Sequence, residues 1–276
     1  MRIITDTTTL YIPEEGKELG ITIVPACTII DEKAYKDYED ITSDEFIKKI
    51  QEGAVPTTSQ PAIGELMEIF EESEEELLVL TIGDGLSGTY QNAVGAKQSM
   101  DENEHIHVMN TKTLAGPQRY LVQKAMRLKE EGVSLERIKE ELAKCIETSV
   151  SFVIPEDFEF LRRSGRLTSI AAKLATMVKI VPVLTQTEDK KRITLFSIKR
   201  SKKKALMSII DYLKELGANE EYLITISHAG VVEEAKNAAQ KIKEHFVNVQ
   251  TEIFQLPPTL ITHGGPGCLV IQAIRK

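Results

Sequence analysis

The stretch LLVLTIGDGLSGT, residues 77–89, decides the fold. Its first six residues, Leu77–Ile82, form an unbroken apolar or β-branched run, and three glycines follow within six positions. Such a run predicts a buried strand, and the glycines predict a tight turn from which a helix begins near Thr89. A strand, a turn and a helix in this order are typical of an α/β fold.

The rest of the first half repeats this alternation. Further strands are predicted at Arg2–Thr5, Ile21–Ile30 and His105–Met109. Helices are predicted from Thr42-Ser43-Asp44-Glu45 onward and at Pro61–Glu72, Gln118–Lys129 and Ser134–Thr148. We therefore expect a first domain over residues 1–150 that is built mainly on a parallel sheet.

The second half has a different rhythm. Val181–Thr187 and Arg192–Ile198 flank the polar segment Glu188–Lys191, which predicts an antiparallel hairpin. Other strands are predicted at Ser151–Ile154, Tyr222–Ser227, Val249–Phe254 and Cys268–Ala273, with helices from Ser201 and at Val232–Phe246. We expect residues 151–276 to form a second α/β domain with a mixed or antiparallel sheet.

Charge and composition exclude several classes of protein. The chain has 34 Lys and Arg against 42 Asp and Glu, a net charge of −8, which argues against a general nucleic-acid binder. The charge is uneven, because residues 160–204 contain 13 Lys and Arg and only 2 Asp and Glu. Three widely spaced cysteines give no disulfide framework or zinc pattern. No apolar run approaches the ~18 residues of a membrane span, so we expect a cytoplasmic protein.

Two hydroxyl-rich motifs are candidate anion sites. Thr57-Thr58-Ser59-Gln60-Pro61 precedes a predicted helix, where its hydroxyls serve either as N-caps alone or as anion ligands. Ser87, Gly88 and Thr89 also lie at a predicted helix start, where the helix dipole favours an anion. A tight structural turn is the alternative for this second motif.

The glycine-rich turn also permits two enzymatic hypotheses. Gly83, Gly85 and Gly88 satisfy the G-x-G-x-x-G spacing, which suggests a nucleotide-dependent enzyme. However, the next strand ends at Asn110, where a ribose-binding acid would be expected. A serine hydrolase using Ser87 and His263 is a further hypothesis, although the sequence does not spell G-x-S-x-G.

The remaining candidate site residues are two arginines and a histidine that precedes a loop rich in glycine and proline. Arg166 and Arg200 lie at the ends of predicted elements, and arginine suits carboxylates and phosphates. A solvated basic face is the alternative. His263 directly precedes Gly264-Gly265-Pro266-Gly267, a loop in which it can donate to an anion or relay a proton. His105 and His107 lie on one side of a strand but have no evident third metal ligand.

Together these motifs resemble the DegV family, the fatty-acid-binding subunits of bacterial fatty acid kinases. The matching segments run in the family's order over nearly the whole chain: Ile4–Asp6, Thr58–Pro61, Leu86–Tyr90, Phe160–Arg166, Lys179–Leu184, Lys199-Arg200 and His263–Gly267. Mild departures occur at Asp6-Thr7, Asn110-Thr111 and Arg200-Ser201, where the family often has Asp-Ser, Asp-Ser and Arg-Thr.

The resemblance implies a two-domain protein with a fatty acid between the domains. It implies that Thr58 and Ser87 bind the carboxylate, with Ser59, Gly88 and Thr89 beside them. It makes Arg166, Arg200 and His263 candidates for a polar network near the carboxylate or for contact with the kinase. The bound carboxylate would be presented to a separate ATP-using kinase, and the acyl phosphate would supply phospholipid synthesis.

A long acyl chain needs an apolar tunnel in addition to a head-group site. The best candidate is Leu167–Leu184, where alanines lie among larger aliphatic residues. The predicted lining residues are Leu167, Ile170, Leu174, Met177, Val178, Ile180 and Val183. An ordinary core is the alternative for this segment.

The sequence carries no convincing catalytic set. It has no Walker lysine motif, no metal-ligand cluster and no nucleophile–base pair of recognisable spacing. We therefore expect a lipid-binding subunit with no catalytic residue, no metal and no cofactor other than its bound fatty acid.

Overall fold

A computed structural model describes residues 1–172 and 180–276 of this chain. The chain divides into two compact units. Unit 1 comprises Met1–Glu147 and Pro257–Thr259, and unit 2 comprises Thr148–Leu256 and Leu260–Lys276. The return of residues 257–259 to unit 1 has no signal in the sequence.

Unit 1 contains the alternating strands and helices that the first half of the sequence predicts. Its strands are β1 (Arg2–Asp6), β2 (Ile21–Val24), β3 (Cys27–Ile30), β4 (Lys33–Lys36), β5 (Thr57–Ser59), β6 (Leu77–Thr81) and β7 (Ile106–Asn110). The helices up to Thr148 are α1 (Pro13–Leu19), α2 (Ser43–Gln51), α3 (Ile63–Glu71), α4 (Thr89–Gln98), α5 (Ala115–Glu130) and α6 (Leu135–Thr148), with a 3₁₀ turn at Thr7–Thr9.

A parallel sheet of order β2-β1-β6-β7 forms the centre of unit 1. All five residues of β6 are buried, which explains why the stretch from Leu77 reads as continuously apolar. One core cluster joins this sheet to α3 and α4 through Ile4, Val24, Leu66, Phe70, Leu77, Val79, Ala93, Ala96 and Ile106. The prediction of a mainly parallel sheet is confirmed.

A second, antiparallel sheet of order β4-β3-β5 corrects two predictions. Ile21–Ile30 is not one strand, because Pro25 lacks the N–H that a ladder requires and separates β2 from β3. Thr57–Ser59 is a strand and not a helix cap. Helix α3 begins at Ile63, and its N-cap, Ala62, makes no side-chain capping bond.

Unit 2 contains the remaining elements. Its strands are β8 (Val150–Ile154), β9 (Val181–Gln186), β10 (Ile193–Lys199), β11 (Tyr222–His228), β12 (Gln250–Gln255) and β13 (Leu269–Arg275). The helices after Thr148 are α7 (Phe158–Arg163), α8 (Ser169–Ala172), α9 (Lys202–Glu215), α10 (Val232–His245) and α11 (Pro258–Gly264).

The sheet of unit 2 has the order β10-β9-β8-β13-β11-β12. Only β11 and β12 are parallel among its neighbouring pairs, and β9 and β10 form the predicted hairpin. Helices α9 and α10 pack on one face, where Phe152, Phe196 and Tyr212 meet edge to face at centroid distances of 4.9–5.5 Å. The predicted mixed sheet is therefore confirmed.

None of the helices in the described parts of the chain has the length and apolar character needed to cross a membrane. Likewise, residues 1–172 and 180–276 contain no group of three or more His, Cys, Asp or Glu side chains that could hold a metal ion.

Candidate functional site

The loop after β6 places a short row of polar groups at the start of α4. Gly83 N–H donates to Thr113 O at 2.8 Å, and Leu86 and Ser87 N–H donate back to Gly83 O at 2.9 and 3.2 Å. Asn110 Oδ1, at the end of the neighbouring strand, accepts from the N–H groups of Asp84 (3.3 Å) and Lys112 (2.9 Å). Asn110 therefore shapes the loop.

Ser87 and Thr89 form a pair of linked hydroxyls. Their oxygen atoms lie 2.9 Å apart, and Thr89 N–H donates to Ser87 Oγ at 3.3 Å. Ser87 is half-buried, Thr89 is buried, and Gly88, the N-cap of α4, is exposed. This arrangement leaves polar groups facing an accessible helix N-terminus, where the macrodipole favours negative charge.

The Thr58 motif lies directly beside this loop. A Cβ built on Gly88 would lie 3.4–3.6 Å from the side-chain amide of Gln60. At the C-terminal end of the motif, Pro61 O accepts a hydrogen bond from Asn92 Nδ2 of α4 at 2.6 Å. The two hydroxyl motifs, about 30 residues apart in sequence, thus form one local surface of unit 1.

Strand alternation separates Thr58 from Ser59. Neighbouring residues of a strand point to opposite faces, so the two hydroxyls do not lie on one face of β5. Ser59 is exposed and its hydroxyl donates to Gln60 O at 3.2 Å, whereas Thr58 is half-buried.

A buried carboxyl network lies at the end of β1, and the sequence does not predict it. Asp6 Oδ1 accepts from Thr8 N (2.8 Å), and the single Thr8 hydroxyl hydrogen is shared between Asp6 Oδ1 and Gln118 Oε1, which lies 2.9 Å from Thr8 Oγ1. Burial raises the pKa of Asp6. The hydroxyl of the next residue, Thr7, donates to Asp37 Oδ2 at 3.1 Å.

Asp37 is completely buried and holds the segment that returns to unit 1. The N–H of Thr259 donates to its two carboxyl oxygens at 3.2 and 3.4 Å. Burial raises the pKa of Asp37 to about 7, against the lowering effect of the bonds from Thr259 and Thr7. No sequence signal distinguishes Asp37 from the acidic residues around it, because its burial arises only in the folded unit.

In unit 2, Arg166 and His263 interact. Arg166 is half-buried, and its guanidinium donates to Ser164 O. Burial and the nearby Arg166 charge lower the pKa of His263 to about 4, so the imidazole is neutral at pH 7. The structure therefore brings these two predicted residues together. Arg200 is exposed at the bend before α9, where the Ser201 hydroxyl accepts from Lys204 N–H at 3.3 Å.

The loop after His263 is fixed by close packing. Gly265 has φ +77°, and a Cβ there would lie 2.6 Å from Cδ2 of Phe160 in α7. Glycine is therefore required at this position for both backbone and steric reasons. The predicted shaped loop has a physical cause in this contact.

The predicted tunnel residues are only partly described. Leu174, Met177 and Val178 lie outside the described residues. Leu167 is buried with Leu161, Ala171 and Leu184. Val183 belongs to the core cluster beneath α9 and α10, whereas the next residue, Leu184, belongs to the Leu167 cluster, so the two lie on opposite faces of β9. Ile180 is half-buried and Ile170 is 66% exposed.

Comparisons with known proteins agree with this architecture. The model of the DegV family of uncharacterised proteins matches residues 1–276. A DegV domain-containing protein of Listeria innocua is 32% identical over 277 residues, covering 97% of this chain and 95% of the relative.

Two solved structures are similar over their whole length. The DegV fatty acid binding protein of Bacillus subtilis has a TM-score of 0.87 and 28% identity, covering 100% of this chain and 99% of the other. A fatty-acid-binding DegV family protein of Thermus thermophilus has a TM-score of 0.90 with the same identity and coverage. Because the family model matches all 276 residues and the fold is that of solved DegV proteins, the chain belongs to the DegV family.

Proposed function

We propose that this protein binds a long-chain fatty acid and that Thr58 and Ser87 of unit 1 hold its carboxylate. The observation that carries the proposal is the adjacency of the two hydroxyl motifs, through the packing of Gln60 on Gly88 and the 2.6 Å bond from Asn92 to Pro61. The fatty acid binding of the Bacillus subtilis and Thermus thermophilus relatives supports it.

The chemistry of these groups suits a carboxylate. Hydroxyls donate to it, and the N-terminus of α4 adds a favourable dipole beside Gly88 and Thr89. Hydrogen bonds to a charged group contribute roughly 1.5–3 kcal/mol each. Two such bonds orient the head group, but they do not account for retention of a lipid among other cellular anions.

The acyl chain supplies most of the affinity in this proposal. At ~0.8 kcal/mol per buried CH₂, about fifteen methylenes give on the order of 12 kcal/mol before ordering costs are subtracted. We assign the tail to the apolar sequence segment from Leu167 to Leu184. Among the described residues of that segment, Leu167 and Leu184 are buried in one apolar cluster with Leu161 and Ala171.

The protein is further proposed to present its carboxylate to a separate fatty acid kinase and to perform no chemistry of its own. The support is the DegV resemblance together with the basic segment 160–204 on a chain of net charge −8. Such a segment suits an acidic surface on the kinase. Arg200, exposed before α9, is the residue we assign to this contact.

Solvent extraction of the purified protein followed by mass spectrometry tests the binding function. We expect a co-purifying fatty acid, or binding of oleate or palmitate added to delipidated protein. Extraction of no fatty acid, combined with no heat of binding for either added acid, contradicts the proposal.

The nucleotide hypothesis gains no specific support from the loop. A Cβ on Gly83 would lie 3.0 Å from the backbone carbonyl carbon of Lys112, and one on Gly88 would meet Gln60. Gly83 therefore has a packing reason within the protein, whereas the contact at Gly88 is at an ordinary van der Waals distance. Titration with NAD, NADP and ATP tests the alternative directly, and heat of binding with any of them would restore it.

A further inference from the structure

Thr28 on β3 is one of several buried hydroxyls of the described residues that have no hydrogen-bond partner. Its side chain is 0% exposed, and in the described parts of the chain its Oγ1 has no hydrogen-bond partner. Buried polar atoms are nearly always hydrogen-bonded, because an unmade bond costs the full desolvation penalty of the group. A hydroxyl in this state requires a physical reason.

The register of the small sheet places Thr28 beside the proposed head-group site. β3 and β5 are antiparallel, and Thr28 lies directly opposite Thr58. Residues that face each other in an antiparallel pair have side chains on the same face, with Cβ atoms about 4.5–5.5 Å apart. Thr28 and Thr58 therefore form adjacent hydroxyls on one face of the sheet.

That face points toward the Ser87 loop. Gln60 lies two residues after Thr58, and the following Pro61 restricts Gln60 to an extended backbone, so Gln60 continues on the Thr58 side. The amide of Gln60 packs on Gly88, next to Ser87. Thr28, buried opposite Thr58, is thus placed on the side of the small sheet where the Thr58 motif meets the Ser87 loop.

We infer that Thr28 is a further ligand-binding residue whose hydroxyl donates to the carboxylate held by Thr58. This inference rests on the proposed fatty-acid function and adds a third hydroxyl to its head-group site. The position opposite Thr58 distinguishes Thr28 from other buried hydroxyls without a partner, such as that of Thr225. Cys27 and Ser59, the neighbouring opposed pair, lie on the other face and take no part.

The test is Thr28→Val, which keeps the side-chain shape and removes the hydroxyl. We expect the Kd for oleate, measured by calorimetry on delipidated protein, to rise about tenfold. The Tm of the ligand-free variant should be equal to or above that of the wild type, because the variant no longer buries an unpaired hydroxyl. Thr28→Ser restores a hydroxyl and should bring the Kd back toward the wild-type value.

Thr225→Val in β11 of unit 2 is the matched control. Thr225 is also a buried strand threonine whose Oγ1 has no partner in the described residues, and its replacement should leave the Kd unchanged. An unaltered Kd in Thr28→Val overturns the inference. A loss of Tm in Thr28→Val that Thr28→Ser repairs also overturns it, since that result shows that the hydroxyl has a structural partner within the protein.

The same experiment distinguishes a failure of the Thr28 inference from a failure of the proposed fatty-acid-binding function. If the wild-type protein binds no oleate, the fatty-acid function itself fails. If the wild type binds and Thr58→Ala weakens binding while Thr28→Val does not, only the assignment of Thr28 fails.

Discussion

At the scale of single residues, the properties of the site come from burial more than from residue type. Ser87 and Ser99 are both serines of the α4 region, yet Ser87 Oγ is linked to Thr89 at the start of the helix and Ser99 Oγ donates to Gly95 O near its end. Only the first position combines a hydroxyl with the positive end of the helix dipole.

Ser87→Ala should therefore weaken fatty acid binding. Loss of one charge-assisted hydrogen bond of roughly 1.5–3 kcal/mol raises the Kd for oleate by about ten- to a hundredfold. Ser99→Ala serves as the control at the opposite end of α4 and should bind oleate as the wild type does. A large drop in Tm with an unchanged Kd would show that Ser87 is only a helix cap.

Asp37 provides a prediction about pH. Its carboxyl titrates near 3.8 when exposed and at about 7 in the fold. Between these values the unfolded chain has lost the proton and the folded protein keeps it, so the free energy of unfolding falls as pH rises through this range. Asp37→Asn removes that dependence. The free energy of unfolding of the variant, relative to that of the wild type, should therefore increase by roughly 2–3 kcal/mol as the pH is raised from 5 to 8.

Chemical denaturation at several pH values measures this difference. Subtracting the variant from the wild type removes contributions common to both, such as the lowered pKa of His263. Asp31→Asn, at an exposed turn, controls for loss of a negative charge. Parallel stability curves for the wild type and Asp37→Asn would be inconsistent with a buried carboxyl that titrates near neutrality.

At the scale of elements, local chemistry in the sequence predicts helix starts well and strand pairing poorly. Thr42 and Ser201 cap α2 and α9 through their hydroxyls, as their positions suggest. Thr57–Ser59 looks equally suitable as a cap, but it pairs with β3, some 30 residues earlier, and becomes a strand. A contact between distant segments thus overrides the local preference.

The same reasoning explains which site residues sequence analysis identifies. Thr58 and Ser87 stand in motifs that carry their own signal of hydroxyls and glycines. Thr28 and Asp37 lie in ordinary surroundings and become distinctive only when β3 and the residue after β4 are buried in unit 1. Burial of that kind depends on register and packing, which a single sequence does not encode locally.

The end of α11 allows a prediction about one loop. Gly265→Ala introduces a methyl group into a backbone with φ +77° and places it 2.6 Å from Phe160. Positive φ costs a non-glycine residue roughly 1–2 kcal/mol, and overpacking adds about 1–3 kcal/mol. Gly217→Ala, also at a positive φ of +75° but with no atom within 4 Å, should incur only the first cost. Equal losses of stability in the two variants, measured by denaturation, would mean that the contact with Phe160 is unimportant.

At the scale of the whole molecule, the distribution of charge is the property most relevant to a partner. An acidic chain of net charge −8 carries 13 Lys and Arg against 2 Asp and Glu over residues 160–204. Some of this positive charge is already used within unit 2, because Lys202 Nζ pairs with Glu156 at 2.5 Å and with Glu234 at 2.8 Å. Arg200 precedes that lysine and is exposed, so it remains a suitable contact for an acidic surface.

Under the proposed function, Arg200→Ala should therefore impair the reaction of the proposed kinase partner more than it impairs lipid binding. We expect kcat/KM for acyl-phosphate formation with a bacterial fatty acid kinase to fall about tenfold, equivalent to ~1.4 kcal/mol, while the Kd for oleate stays unchanged. The defect should diminish as salt is raised, because at 0.15 M ionic strength the Debye length is only about 8 Å.

The control is Arg192→Ala. It removes an exposed arginine from the turn between β9 and β10 in the same unit, and it should have a smaller effect. Unaltered turnover in Arg200→Ala at low salt would exclude Arg200 from the kinase contact, because a charge at such an interface acts most strongly when it is least screened.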